Sequence, residues 1–133
     1  IANTVEVTVS DDGQYTVDRI VCVIDCGFAV NPLGIESQIH GGIMLGLNAA
    51  AMGAIDIEEG RVLQRNFHDY VPLRLHQKPK VEVHIIPSDA PSTGVGEQAS
   101  TAIGPALANA IFDATGQRVR QFPLSRQGFT LKG

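Results

Sequence analysis

Basic residues are scarce in this chain. Ten Lys and Arg face fourteen Asp and Glu, for a net charge of −4. The densest basic stretch is Arg118-Val119-Arg120, too short for the clustered cations of a nucleic-acid-binding surface, so no nucleic-acid partner is expected. Long apolar runs are missing too; none approaches the roughly 18–20 residues of a membrane-spanning helix. Only two cysteines occur, Cys22 and Cys26. In one extended strand their spacing separates them by about 13 Å, beyond disulfide reach. Both read as buried small hydrophobes, or Cys26 marks the strand's end. They hint at a reducing compartment and say nothing of a metal. An initiator methionine is also absent, and the chain opens within an alternating strand pattern. A segment of a longer polypeptide is therefore expected. The compartment stays open between cytoplasm and periplasm, because a targeting signal would lie upstream of Ile1.

What is present is ordinary for a globular fold: 133 residues, 44% hydrophobic and 18% charged, enough for one domain that buries roughly two thirds of its unfolded surface. Residues 4–10 alternate, 11–14 supply turn chemistry, and 15–25 form a Val/Ile-rich strand, together a hairpin. Helical periodicity follows over 34–52, with Ile35, Ile39, Ile43, Leu47 and Ala51 every fourth residue. A second hairpin is expected from 54–57 and 62–67, an irregular proline-bounded stretch over 71–79, a strand over 81–86 and a Ser/Pro/Gly-rich loop over 88–99. A second helix is expected over 105–115, with Pro105 in its first turn and Gly116 past its end. Leu107, Ala108, Ile111, Phe112 and Thr115 would form its buried stripe. The pattern predicts a single α+β domain over 1–133, with a mostly antiparallel sheet from hairpins packed against two main helices.

Two stretches could carry chemistry. Within the first helix, Gly41, Gly42 and Gly46 each cost about 1 kcal/mol relative to alanine. Two explanations stand: close backbone packing, or a bulky ligand against this face with Gln38 offering an amide to it. In Gly94-Val95-Gly96-Glu97, the glycines permit positive φ and expose N–H groups, while Glu97 precedes a helix. Glu97 is then either an ionised acid favoured at a helix start or a general base whose pKa desolvation in a glycine-lined cleft would raise. The histidines show no metal-ligand spacing, and no Ser stands in a G-x-S-x-G elbow. Asn66-Phe67-His68-Asp69-Tyr70 reads as structural, because neighbouring strand residues point to opposite faces.

Taken in order, five motifs belong together: Asp25-Cys26-Gly27 with Asn31-Pro32, Gln38-Ile39-His40-Gly41-Gly42-Ile43, Asn66-Phe67-His68-Asp69-Tyr70, Gly94-Val95-Gly96-Glu97, and Gly104-Pro105-Ala106-Leu107-Ala108-Asn109-Ala110-Ile111. This series resembles the C-terminal segment of the molybdenum-binding large subunit of the xanthine oxidase family. Its branch is that of the isoquinoline 1-oxidoreductase and aldehyde dehydrogenase beta subunits. The resemblance implies hydroxylation of an electron-poor carbon, in an aldehyde or N-heteroaromatic ring, with water as oxygen source. It implies a molybdenum–molybdopterin cofactor in its cytosine dinucleotide form. It also implies Glu97 as general base, Gly94, Val95 and Gly96 beside the cofactor, and Gln38 as a cofactor hydrogen-bonding residue. Such relatives commonly carry an acidic residue after Gln-Ile and a proline after the glutamate; here those positions are His40 and Gln98.

By the same resemblance the partners are the remainder of the large subunit, an iron–sulfur small subunit and the small-molecule substrate. The isolated segment is expected to fold without binding molybdenum, and to self-associate through surfaces meant for the missing parts. The alternative is a non-catalytic interaction or scaffold domain with the same fold.

Overall fold

The computed structural model describes residues 1–132. Its longest strand, β2 (Gln14–Ile24), pairs antiparallel with β1 (Ala2–Val9) across the expected turn. Buried side chains on β2 run Tyr15, Val17, then Ile20, Cys22 and Ile24, so the alternation skips one position. The register explains the skip: Val7 faces Val17 and Glu6 faces Arg19, which leaves Asp18 as an extra residue in a β-bulge. The Asp18 carboxylate accepts hydrogen bonds from Thr8 Oγ1 at 2.7 Å and Thr16 Oγ1 at 2.8 Å.

The α+β class and the two main helices are as expected, and the sheet is mixed. After helix α1 (Pro32–Ala51) and a long connection, β5 (Lys80–Ile85) returns to pair with β2 in parallel, and β6 (Thr130–Leu131) adds a short parallel pairing at Gln14 and Tyr15. A crossover through a helix brings the chain back in the same direction. The second hairpin is much shorter than expected, β3 (Ile57–Glu58) against β4 (Arg61–Val62). Beyond Val62, Gln64 folds back to accept from Asp56 N–H at 2.7 Å and to donate to the Asp56 carboxylate at 2.9 Å. With one further backbone bond, Leu63 N–H to Asp56 O at 2.9 Å, these side-chain bonds end the ladder that the strand pattern predicted to run on to residue 67.

Helix α1 begins on Asn31, whose Oδ1 accepts the Gly34 N–H at 3.1 Å, with Pro32 in the first turn. Helix α2 (Gln98–Thr115) starts seven residues before the expected Pro105, which lies inside it. The apolar stripe accounts for this: Ala99, Ile103, Leu107 and Ile111 recur every fourth residue and are all buried. Burial along that stripe, at about 1.5–3 kcal/mol per large aliphatic side chain, outweighs the hydrogen bond that Pro105 cannot donate.

The two helices meet through glycine. A Cβ at Gly46 would stand 2.3 Å from Ser100 O and 2.4 Å from Ile103 Cγ2, and one at Gly42 would stand 3.0 Å from Ala99 Cβ. Close packing therefore explains these two glycines, with the second helix as the neighbour. Gly41 is exposed and has nothing within 4 Å of its Cβ position. Gly46→Ala is thus expected to destabilise the fold by roughly 1–3 kcal/mol through overpacking. Gly41→Ala should be neutral or stabilising by up to about 1 kcal/mol. Urea unfolding of the two variants side by side checks the contrast.

On the sheet face away from the helices, Arg19 makes a two-pronged bond to Glu82 at 3.0 and 2.9 Å and a third to Glu6 at 2.9 Å, while Lys80 reaches Glu82 at 2.8 Å. Hydrogen bonds from Arg19, then Lys80, lower the Glu82 pKa from 4.5 to about 2. As pH falls, the unfolded chain therefore takes up this proton before the folded one does. The stability Glu82 contributes is complete above about pH 4.5 and is lost as pH falls toward 2. Denaturation midpoints measured between pH 5 and 2.5 should fall less steeply in Glu82→Gln than in the parent chain.

Candidate functional site

The loop ahead of α2 is anchored by the end of β2. Asp25 Oδ1 accepts the Gly27 N–H at 3.0 Å, closing a tight turn. Gly27 has φ +72°, and a Cβ there would lie 2.2 Å from Pro91 O. That close approach lets Phe28 N–H donate to Ala90 O at 2.9 Å, Thr93 N–H to Cys26 O at 2.8 Å, and Ser92 Oγ to Phe28 O. The Asp25-Cys26-Gly27 motif is thus a socket for residues 90–93.

From Thr93 the chain runs through Gly94, Val95 and Gly96 to Glu97, held by two glutamines. From α1, Gln38 Nε2 donates to Gly96 O at 3.2 Å. From the first residue of α2, Gln98 Nε2 donates to Gly94 O at 2.5 Å, and Gln98 Oε1 accepts the Glu97 N–H at 3.2 Å. An open cleft of about 410 Å³ lies alongside, walled by Cys26, Phe28, Ile35, Gln38, Val95 and Gly96 among others. Of the residues singled out in the sequence, Gln38, Val95 and Gly96 line this cleft; Gly94 and Glu97 adjoin it in the same loop. His68 and Asp69 lie 3.2 Å apart on an exposed turn. Their neighbour Tyr70 accepts from Asn48 Nδ2 at 3.3 Å, and Asn48 Oδ1 accepts the Leu73 N–H at 2.7 Å, tying the connection to α1.

Two expectations change. Neither Gly94 nor Gly96 takes a positive φ, and a Cβ on either would meet nothing within 4 Å. What they provide is bare backbone beside open space. Glu97 is not sunk in a cleft: it is exposed and forms the N-cap of α2, with no capping bond from its side chain. Sequence reasoning also missed Phe28, Ile35 and Cys26 as cleft walls. The only signal for them was their nearness to Asp25-Cys26-Gly27 and Asn31-Pro32.

A helix and a glycine loop that present bare backbone and a glutamine amide to one cleft suit a large, polar-edged cofactor. Residues 1–79 match the family model described as the molybdopterin cofactor-binding domain, and the chain belongs to that family. It is 37% identical over 113 residues to the isoquinoline 1-oxidoreductase subunit beta of Brevundimonas diminuta, across 85% of this chain and 14% of that protein. It is 34% identical over 125 residues to the aldehyde oxidoreductase molybdenum-binding subunit of Escherichia coli, across 87% of this chain and 17% of that protein. The fold matches the aldehyde oxidoreductase of Desulfovibrio gigas with a TM-score of 0.73 and 28% identity, over 88% of this chain and 13% of that one. The chain thus spans less than a fifth of the length of each of these relatives. The resemblance drawn from the five motifs to xanthine-oxidase-family large subunits holds. The matched residues 1–79 include Gln38 but not the 93–97 loop.

The surface fits such a cofactor on its own terms. Gly94 and Gly96 leave room where side chains would intrude, and Gln38, its amide N–H₂ committed to Gly96, keeps Oε1 as an acceptor among the described residues. The socket beneath the loop gives a direct test. Gly27→Ala is expected to cost at least about 1–2 kcal/mol from the left-handed backbone alone. It should also speed hydrogen exchange at Thr93, read by urea unfolding and exchange mass spectrometry respectively.

Proposed function

We propose that this chain is the C-terminal part of a molybdenum hydroxylase large subunit that oxidises aldehydes or N-heteroaromatics with water as oxygen donor, Glu97 serving as general base. The observation that carries the reading is Glu97 at the end of a glycine-flanked loop, its carboxylate exposed and uncommitted as a cap beside the Gln38 cleft. The names of the relatives, an isoquinoline oxidoreductase and an aldehyde oxidoreductase, support the two substrate classes.

When bound, the molybdenum–molybdopterin, in its cytosine dinucleotide form, supplies the two-electron redox chemistry. The chain's own residues do the rest. Gln38 Oε1 accepts a donor on the cofactor's edge, while its amide N–H₂ fixes the Gly96 carbonyl. Gly94 and Gly96 keep side-chain bulk away, so cofactor and a planar substrate can approach Glu97. The Glu97 carboxylate takes a proton from the water-derived oxygen as that oxygen joins carbon, while the carbon's C–H bond breaks and its hydrogen and electron pair would pass to the redox cofactor. The two electrons leave through an iron–sulfur small subunit. Water exclusion around Glu97 comes from the remainder of the large subunit. Exposed Val30, Leu33, Phe67 and Leu75 are suited to burial against it, and in an isolated segment they promote self-association.

The test uses the complete enzyme carrying this chain, with benzaldehyde and isoquinoline as probe substrates and ferricyanide as electron acceptor. Glu97→Gln should lower kcat by roughly 10²–10⁴-fold, with molybdenum content, measured by elemental analysis, unchanged. Near-parental turnover in that variant would remove Glu97 from the mechanism. No turnover of either probe by the parent enzyme, with cofactor in place, favours the scaffold reading.

A further inference from the structure

We infer that Gln98 is a positioning residue for Glu97: its side-chain amide clamps the loop from which the base projects. This inference rests on the reading of Glu97 as the base. Three observations support it. First, the amide meets both ends of the turn, donating to Gly94 O at 2.5 Å and accepting from Glu97 N–H at 3.2 Å. A carbonyl on one side and an N–H on the other admit only this amide orientation. Second, Val95 is the one side chain inside the turn that packs, half-buried against the core. Gly94 and Gly96 carry no side chain, and no heavy atom stands within 4 Å of either Cβ position to pack against. Third, Gln98 is the first residue of an 18-residue helix whose next residue, Ala99, is buried against α1. The clamp is therefore mounted on a fixed element.

Gln38 acts from the other helix on the intervening carbonyl, Gly96 O. Between them, the two glutamines tie Gly94 C=O, Gly96 C=O and Glu97 N–H to α2 and α1. On its C-terminal side the Glu97 carbonyl is held by the first turn of α2, accepting Ser100 N–H at 3.1 Å and Ser100 Oγ at 2.8 Å; on its N-terminal side the restraint on its N–H is the Gln98 amide. Of the two glutamine amides, that of Gln98 is the one adjacent to the carboxylate, and its loss should be felt in turnover more than in substrate binding.

The experiment compares Gln98→Ala and Gln98→Met in the complete enzyme; both delete the amide, and Met preserves length and helix propensity. Hydrogen exchange across residues 94–97 is expected to rise about tenfold, the equivalent of one lost hydrogen bond. With benzaldehyde, kcat should fall roughly 10- to 100-fold as the base loses its alignment, while KM and molybdenum content hold. In a Glu97→Gln background, Gln98→Ala should still accelerate exchange but lower turnover no further, because the base it positions is gone. Unchanged exchange in both single variants overturns the clamp. Faster exchange with parental kcat overturns the positioning role. If instead Glu97→Gln itself turns over normally, the base reading fails, and the exchange data still decide whether the clamp exists.

Discussion

The contact of α1 with α2 at Gly42 and Gly46 governs everything near the cleft. Because those positions lack side chains, the first turn of α2 lies on the backbone of α1, with Ser100 and Ile103 occupying the volume a Cβ would take. That depth of approach places Gln38 within hydrogen-bonding distance of the loop entering α2. If the helices were spaced by ordinary side chains, Gln38 and Gly96 would be too far apart to bond directly, and Glu97 would cap a helix facing elsewhere. Burial supplies the force that closes the contact: Ile39, Ile43 and Leu47 on one helix and Ile103, Leu107 and Ile111 on the other are fully buried.

Glycine thus has three distinct jobs within one small region. Gly42 and Gly46 are consumed by packing. Gly27 is consumed by a left-handed turn pressed against Pro91. Gly94 and Gly96 meet nothing within 4 Å at their Cβ positions, and Gly96 lines the cleft. Sequence alone cannot separate these uses, since each appears only as a missing side chain. The fold separates them by what a methyl group would strike.

Much of the architecture was legible from periodicity. The first hairpin, α1 and β5 followed the alternation and the fourfold repeat because each buries one face against a single neighbour. The start of α2 was hidden by Pro105, a residue whose usual place is a first turn; the buried repeat beginning at Ala99 overrides that preference. The second hairpin failed for the opposite reason. Val62 and Leu63 remain exposed, so no burial favours a ladder over the Gln64–Asp56 side-chain bonds. At the site, residue types announced themselves through the motif series, but their geometry did not. Nothing in the string Gly94-Val95-Gly96-Glu97-Gln98 says that Gln98 turns back on the loop, since a glutamine at a helix start usually points to solvent. At this position the chain uses a hydrogen-bonding side chain, and Glu97 adopts ψ −10°, a backbone setting that a following proline would disfavour.

The bulge at Asp18 bears on how this domain tolerates changes in chain length. Adding or removing one residue elsewhere in β2 would turn half the strand over, trading Ile20, Cys22 and Ile24 for neighbours such as Val21 and Val23 on the opposite face. Asp18 is the exception. It is the surplus residue between two stretches that already face the same way, so the strand could lose it and keep both halves in phase. Single-residue insertions and deletions that arise during divergence would therefore be filtered everywhere along β2 except at this one joint.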